Sequence, residues 1–191
     1  MPRKPSLDIT TLSLPDIARA LADQRLPPVE SWNPTHCGDS EMRIARDGTW
    51  YHQGSPIGRK AMVQLFSTIL RREANGGYVL VTPAEKLDIT VEDAPFIAVE
   101  VKTEGGGENR RLAFRLNTDE LVVAGPEHPI RFEARDNGPH PYLLVRKGLE
   151  ALISRSVYYE LVNLAMEGDA QPPSLNLALW SDGARFDMTP A

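Results

Sequence analysis

A single cysteine, Cys37, occurs in 191 residues, so no internal disulfide framework is available and a reducing compartment suits the chain. Long apolar runs are also missing: nothing approaches the ~20 consecutive apolar residues of a membrane span. The opening Met1-Pro-Arg-Lys-Pro-Ser-Leu-Asp8 lacks the apolar run of ~7–15 residues that defines a secretory signal. The closing Asp187-Met-Thr-Pro-Ala191 carries no lipidation signal. A cytoplasmic location without membrane contact is the expectation. Basic charge is not in excess either. The 21 Lys and Arg against 26 Asp and Glu leave −5, spread as −2 over residues 1–100 and −3 over 101–191. No basic stripe is available for a nucleic-acid backbone.

What is present is an apolar fraction of 41% beside 25% charged residues, enough for a packed core and too balanced for a disordered chain. Sixteen prolines imply short elements and sharp turns. The length allows one domain or two small ones.

Ser13-Leu-Pro-Asp16 has the spacing of a helix N-cap with an early proline and an acidic first turn. Pro27 to Pro34 reads as a stiff connector. Met42 and Ile44 alternate with polar residues, Asp47-Gly48 is a hairpin turn, and Trp50 to His52 resumes strand chemistry. Met62, Leu65, Phe66, Ile69 and Leu70 then fall at helical spacing, predicting a helix over 60–71 with that face buried. Tyr78–Thr82 and Leu87–Val91 are strands. Asp93-Ala-Pro95 is a stiff corner that divides the chain into 1–93 and 94–191. In the second half, strands at 96–101, 112–116, 120–123, 130–132 and 142–145 are separated by the flexible tip around Gly105 and by proline turns. Leu149, Leu152, Ile153, Val157, Leu161 and Leu164 predict a second long helix over 148–165. A strand, a helix and two strands occur at about 49–91 and again at about 142–188, which suggests a duplication. The fold class is α+β, two small domains each with antiparallel strands and one main helix.

No stretch shows the spacing of a zinc site, although His36, Cys37 and Asp39 cluster and His52 is within reach across the hairpin. His128 and His140 sit beside prolines in loops. Cys37 lacks the signature of an activated thiol, and Gly105-Gly-Gly107 lacks the strand–loop–helix context of a phosphate loop. No metal or cofactor is expected. Basic residues at two predicted helix starts stand out: Arg59-Lys60 before the first long helix and Arg146-Lys147 before the second. Free N–H groups and the helix dipole attract anions there and disfavour cations, so basic residues at such ends read either as surface charge or as an anion site. Trp50-Tyr51 and Tyr158-Tyr159 read as core aromatics or as stacking platforms.

Arg46-Asp-Gly-Thr-Trp50, Gly54-Ser-Pro-Ile57 with Arg59, Leu65-Phe-Ser67, Leu80-Val-Thr-Pro83 with Glu85-Lys86, Val91-Glu-Asp-Ala-Pro-Phe96 and Arg146-Lys-Gly-Leu149 together resemble a bacterial family described as domain of unknown function 1285. The resemblance runs from about Trp32 to Phe186. It implies a duplicated α+β arrangement whose second domain is superficially similar to pleckstrin-homology folds. It also implies a small, nucleotide-like ligand at the domain interface and a role in signal transduction. The family pattern has a threonine where this chain has Leu116, in Phe114-Arg-Leu-Asn117. The resulting expectation is a small anionic ligand, with Arg59, Lys86 and Arg146 gathered in one cleft. Trp50 would supply a stacking face, Thr82 and Asn117 neutral hydrogen bonds. The alternatives are a hydrolase or transferase using Glu85 or Asp93, or a protein-interaction module using an exposed sheet edge or the Gly105 loop.

Overall fold

A computed structural model describes residues 12–168 and 177–189. The first helix, α1 (Leu14–Asp23), begins where Ser13 caps it: the Ser13 Oγ accepts from the Asp16 N–H and the Asp16 carboxylate accepts from the Ser13 N–H. That reciprocal box satisfies two backbone donors that a helix start otherwise leaves open. Gln24 ends the helix.

Two six-stranded sheets follow. The first contains β1 (His36–Ile44), β2 (Trp50–His52), β3 (Ser55–Pro56), then helix α2 (Lys60–Thr68), then β4 (Leu70–Arg72), β5 (Tyr78–Val81) and β6 (Glu85–Val91). Its spatial order is β3-β2-β1-β6-β5-β4, with β1 and β6 parallel and all other neighbours antiparallel. The second contains β7 (Phe96–Glu104), β8 (Arg111–Leu116), β9 (Leu121–Val123), β10 (Ile130–Arg135), β11 (Gly138–Arg146) and β12 (Leu149–Ile153). Its order is β10-β11-β12-β7-β8-β9, with β12 and β7 parallel. Helix α3 (Arg155–Gly168) and the hairpin β13 (Ala178–Ser181) and β14 (Ala184–Asp187) complete the described chain.

The two sheets share one topology. Each is two three-stranded meanders joined through a central parallel pair made by the first and last strands. The repeated unit is therefore 36–91 and 96–153, not 49–91 and 142–188. What obscured the period is the helix: α2 lies between the meanders of the first sheet, whereas α3 follows the second sheet.

Two helix readings are corrected. The first long helix ends at Thr68, and Leu70 starts a strand paired with Leu80. Its buried side is turned about one residue from the expected one: Val63, Phe66 and Ser67 face the core, while Met62 is 38% and Leu65 62% exposed. In the second, Leu149, Leu152 and Ile153 belong to β12. Lys147 and Gly148 have φ of 34° and 78° and form the tight turn between β11 and β12, a conformation suited to a twisted hairpin. The helix itself starts at Arg155, after Ser154, whose Oγ accepts from the Val157 N–H at 3.4 Å. Val157 and Leu161 are buried as expected.

One continuous core runs through both halves, including Ile44, Trp50, Leu70, Phe96, Leu143 and Leu161. Burial of such side chains contributes about 1.5–3 kcal/mol each. Helix α1, which the sequence places in the 1–93 segment, rests instead on the second sheet, with Ile17 against Ala113 and Leu121. The Gly48 turn closes onto the second half as well. Its φ is +84°, and a Cβ there would lie 2.8 Å from both the Asn117 Nδ2 and the Ile97 Cγ1.

Candidate functional site

The three cations expected in one anion cleft have separate structural attachments. Arg59 is the exposed residue preceding α2 and, among the described residues, forms no ion pair. Lys86, on β6, lies 3.4 Å from the Glu73 carboxylate. Burial opposes ionisation of Glu73, but the Arg71 hydrogen bond and charge, with Lys86, outweigh it and hold the carboxyl below its usual range. Arg146 does not open a helix. It ends β11, donates to both Glu120 oxygens at 2.6 Å and to the Ser67 carbonyl at 2.8 Å, and lies 5.1 Å over the Phe96 ring. Ser67 is near the C-terminus of α2, the end of a helix dipole that favours a cation.

The other proposed contacts are also engaged structurally. Trp50 is 1% exposed and stacks on Phe66 with centroids 6.4 Å apart, so it offers no open face for a ligand. The Thr82 Oγ1 accepts from the N–H groups of Ala84 and Glu85, shaping the β5–β6 turn. The Asn117 Oδ1 accepts from the Ile97 N–H at 3.1 Å, beside the Gly48 turn. Tyr158 and Tyr159 pack on each other at 6.0 Å, with Tyr159 57% exposed.

Among the described residues, no three His, Cys, Asp or Glu side chains converge to hold a metal. Cys37 is exposed on β1. His128 and His140 contact the carbonyls of Leu144 and Gly138 through Nδ1. Asp93, at the corner between the halves, accepts from Arg135 and from the Tyr142 hydroxyl at 2.7 Å. Burial, with that hydrogen bond and the Asp93 charge, pushes the Tyr142 pKa up. Among the described residues, Asp93 is thus held in an ion-paired corner by Arg135 and Tyr142. Among the described residues no helix is long and apolar enough to cross a membrane.

A groove of about 610 Å³, formed where α1 and the residues after it meet the second sheet, has room for a ligand. The second sheet curls so that β9, its edge strand, faces the end of β11. Leu21, Leu26, Val123 and Val145 line it, together with the Arg146–Glu120 ion pair. Pro126 to His128 close the end. Three carboxylates (Glu120, Glu127 and Asp182) line it against one guanidinium, although Asp182 also meets Arg111 at 3.2 Å. At the edge itself, the Gln24 carboxamide donates to the Leu121 carbonyl at 3.1 Å and accepts from the Leu121 N–H at 2.7 Å. Of these residues, sequence reading had singled out Arg146 alone as a ligand contact. Glu120 and Gln24 have no local signature, and the edge position of β9 follows only from the strand order.

Comparison with known proteins agrees with this architecture. Residues 27–94 match the family model described as domain of unknown function (DUF1285), N-terminal domain. Residues 95–188 match that for protein of unknown function (DUF1285), C-terminal domain. A crystal structure of a DUF1285 family protein from Silicibacter pomeroyi DSS-3 is similar at 45% identity and a TM-score of 0.79, over 91% of this chain and 92% of that one. A DUF1285 family protein from Shewanella baltica OS155 is similar at 26% identity and a TM-score of 0.51, over 64% of this chain and 90% of that one. No curated protein sequence matches.

Proposed function

This chain belongs to the DUF1285 family, and we propose that it is a binding protein whose ligand occupies the groove between β9 and the end of β11. The observation that carries this reading is the groove itself: about 610 Å³, within the size range of ligand sites, with apolar walls and a few convergent polar groups. The wall charge does not favour the anionic, nucleotide-like ligand that the family resemblance implies, because a phosphate would meet Glu120, Glu127 and Asp182. A neutral or cationic, partly apolar ligand suits the lining better. The role in signal transduction finds support in Arg146. One guanidinium reaches both the groove lining, at Glu120, and the last turn of α2, at Ser67. A ligand that competes for Glu120 would loosen or tighten that tie and so alter the first half.

A thermal-shift screen of metabolites, nucleotides and linear peptides, followed by amide chemical-shift mapping, tests the proposal. A ligand at ~100 Kd stabilises by about 2.7 kcal/mol, a readily measured rise in Tm. Hits should shift the amides of 121–125, 127–128 and 145–146. Hits that perturb only other surfaces, or the absence of any hit, would remove the proposal.

A further inference from the structure

We infer that the occupant of the groove is an extended polypeptide that adds to β9 as a further strand, an inference that rests on the groove being the binding site. The backbone pattern points there. The Leu116 N–H donates to the Glu120 carbonyl at 2.8 Å and the Ala124 N–H to the Leu112 carbonyl at 2.9 Å, with Phe114 opposite Val122. The Glu120 carbonyl and the Ala124 N–H are therefore spent on β8, Val122 faces the same strand, and the Ala124 carbonyl accepts from the Ser181 Oγ at 2.7 Å. Antiparallel alternation turns the N–H and C=O of Leu121 and Val123 outward, away from the sheet.

Those outward groups are what an added strand bonds to. At Leu121 they are already met, by the Gln24 carboxamide, which donates and accepts as a strand peptide would. At Val123 nothing among the described residues takes that place, and Val123 lines the groove. Gln24 thus acts as a one-residue placeholder for a strand. An incoming segment that displaces it gains the peptide groups of both Leu121 and Val123.

Side-chain chemistry selects the sequence of that segment. Residues on one side of the added strand would lie against Leu21, Leu26 and the outward side of Val123, which calls for apolar side chains. Beyond the β9 end, Glu127 is exposed and unpaired among the described residues, and Glu120 is already matched by Arg146. The charge left over is negative, so a Lys or Arg near that end of the segment is favoured and an acidic one is not. The partner is an extended, partly apolar peptide with a basic flank.

The test is selection from a phage-displayed library of random linear dodecapeptides against the full chain, followed by synthesis of a recovered peptide. Saturation should slow hydrogen exchange of the Val123 amide at least tenfold. Val123→Pro removes that donor while leaving the β8 ladder intact, since an edge strand tolerates proline on its open side, and should weaken binding at least tenfold. Gln24→Ala removes the competing carboxamide and should tighten binding severalfold. Glu127→Lys should weaken it. Exchange at Val123 needs no variant, so the inference stays testable if Val123→Pro does not fold. A peptide that shifts groove amides yet leaves Val123 exchange unchanged overturns strand addition while the groove stands. A peptide that shifts no groove amide overturns the groove as well. Failure to select any peptide overturns the polypeptide ligand, leaving the small-molecule arm of the thermal screen to judge the groove.

Discussion

Arg146 of β11 donates to the Ser67 carbonyl of α2 across 79 residues of sequence, at 2.8 Å. A cation from the second sheet thereby completes the end of a helix in the first. Its other terminal nitrogen, Nη1, holds both Glu120 oxygens, and both side chains are mostly buried, 18% and 16% exposed.

Arg146→Ala should therefore cost about 2–4 kcal/mol, because it leaves a mostly buried carboxylate and a helix carbonyl without partners. Arg146→Lys should restore less than half of the loss, since an ammonium lacks the planar fork that serves two acceptors. Urea unfolding of the three proteins gives the comparison. An alanine variant within 0.5 kcal/mol of the parent would show, at about the scale of an exposed ion pair, that the tie is only superficial.

Leu65 and Leu161 should respond oppositely to the same substitution. Leu65 is 62% exposed and Leu161 fully buried. Leu65→Asp is expected to stay within about 0.5 kcal/mol, as surface changes usually do. Leu161→Asp places an unpaired charge in the core, which costs several kcal/mol, so that chain should not accumulate as soluble protein. Soluble yield decides Leu161→Asp, and urea unfolding decides Leu65→Asp.

These two leucines also show how far periodicity carries. The apolar spacing from Met62 to Leu70 is genuinely helical, but Ile69 and Leu70 continue it by chance while Leu70 pairs with Leu80 in a sheet. Nothing local distinguishes the last turn of a helix from the first residue of a buried strand. Lys147-Gly148 and Ser154 were readable as a tight turn and a helix cap, and the apolar series from Leu149 onward concealed them. The hairpin at Asp47-Gly48, the Ser13 cap and the paired domains were legible because each rests on turn or cap chemistry. The groove was not, because it depends on β9 being last in a spatial order and on Gln24 lying 97 residues before its partner.

Gly48 and Gly54 form a controlled pair. Both have positive φ, +84° and +79°, but only Gly48 would bring a Cβ within 2.8 Å of Asn117 and Ile97; nothing lies within 4 Å at Gly54. Gly54→Ala should cost about 1–2 kcal/mol from backbone conformation alone. Gly48→Ala should cost about 1–3 kcal/mol more from overpacking. Equal Tm losses in the two variants would mean that the contact between the halves yields freely there.

Alkaline pH should weaken the fold through Tyr142. The folded pKa is raised, first by burial and then by the Asp93 carboxylate that accepts the hydroxyl's hydrogen bond. As pH climbs past about 10, the ordinary value for a tyrosine, the unfolded chain releases that proton while the folded one keeps it. Stability is fully present below that pH and falls above it. Tyr142→Phe should cost about 1 kcal/mol at pH 8 for the lost hydrogen bond, and the gap to the parent should narrow by pH 10.5. A gap that widens instead would reverse the sign and place the ionised tyrosinate in the folded state.

Asp119 tests how tightly the halves are held. It sits at φ +67°, a conformation that Asn and Gly accept readily, so backbone preference alone predicts that Asp119→Asn is harmless. Its carboxylate, however, accepts from Arg115 of its own sheet at 2.9 Å and from Lys60 and Gln64 of α2 at 2.8 and 3.1 Å. Arg115 is 12% exposed and Lys60 48%, so solvent screens the second pair far more than the first. Asp119→Asn should lose about 1–2 kcal/mol overall, the worth of a charge-assisted hydrogen bond. In double-mutant cycles, coupling to Arg115→Met should reach about 1 kcal/mol or more, and coupling to Lys60→Met should stay below about 0.5 kcal/mol, the usual range for an exposed pair. If Lys60 couples as strongly as Arg115, the α2 contact anchors Asp119 as firmly as the within-sheet pair does. The halves would then separate more readily when that one lysine is changed than the shared apolar core leads one to expect.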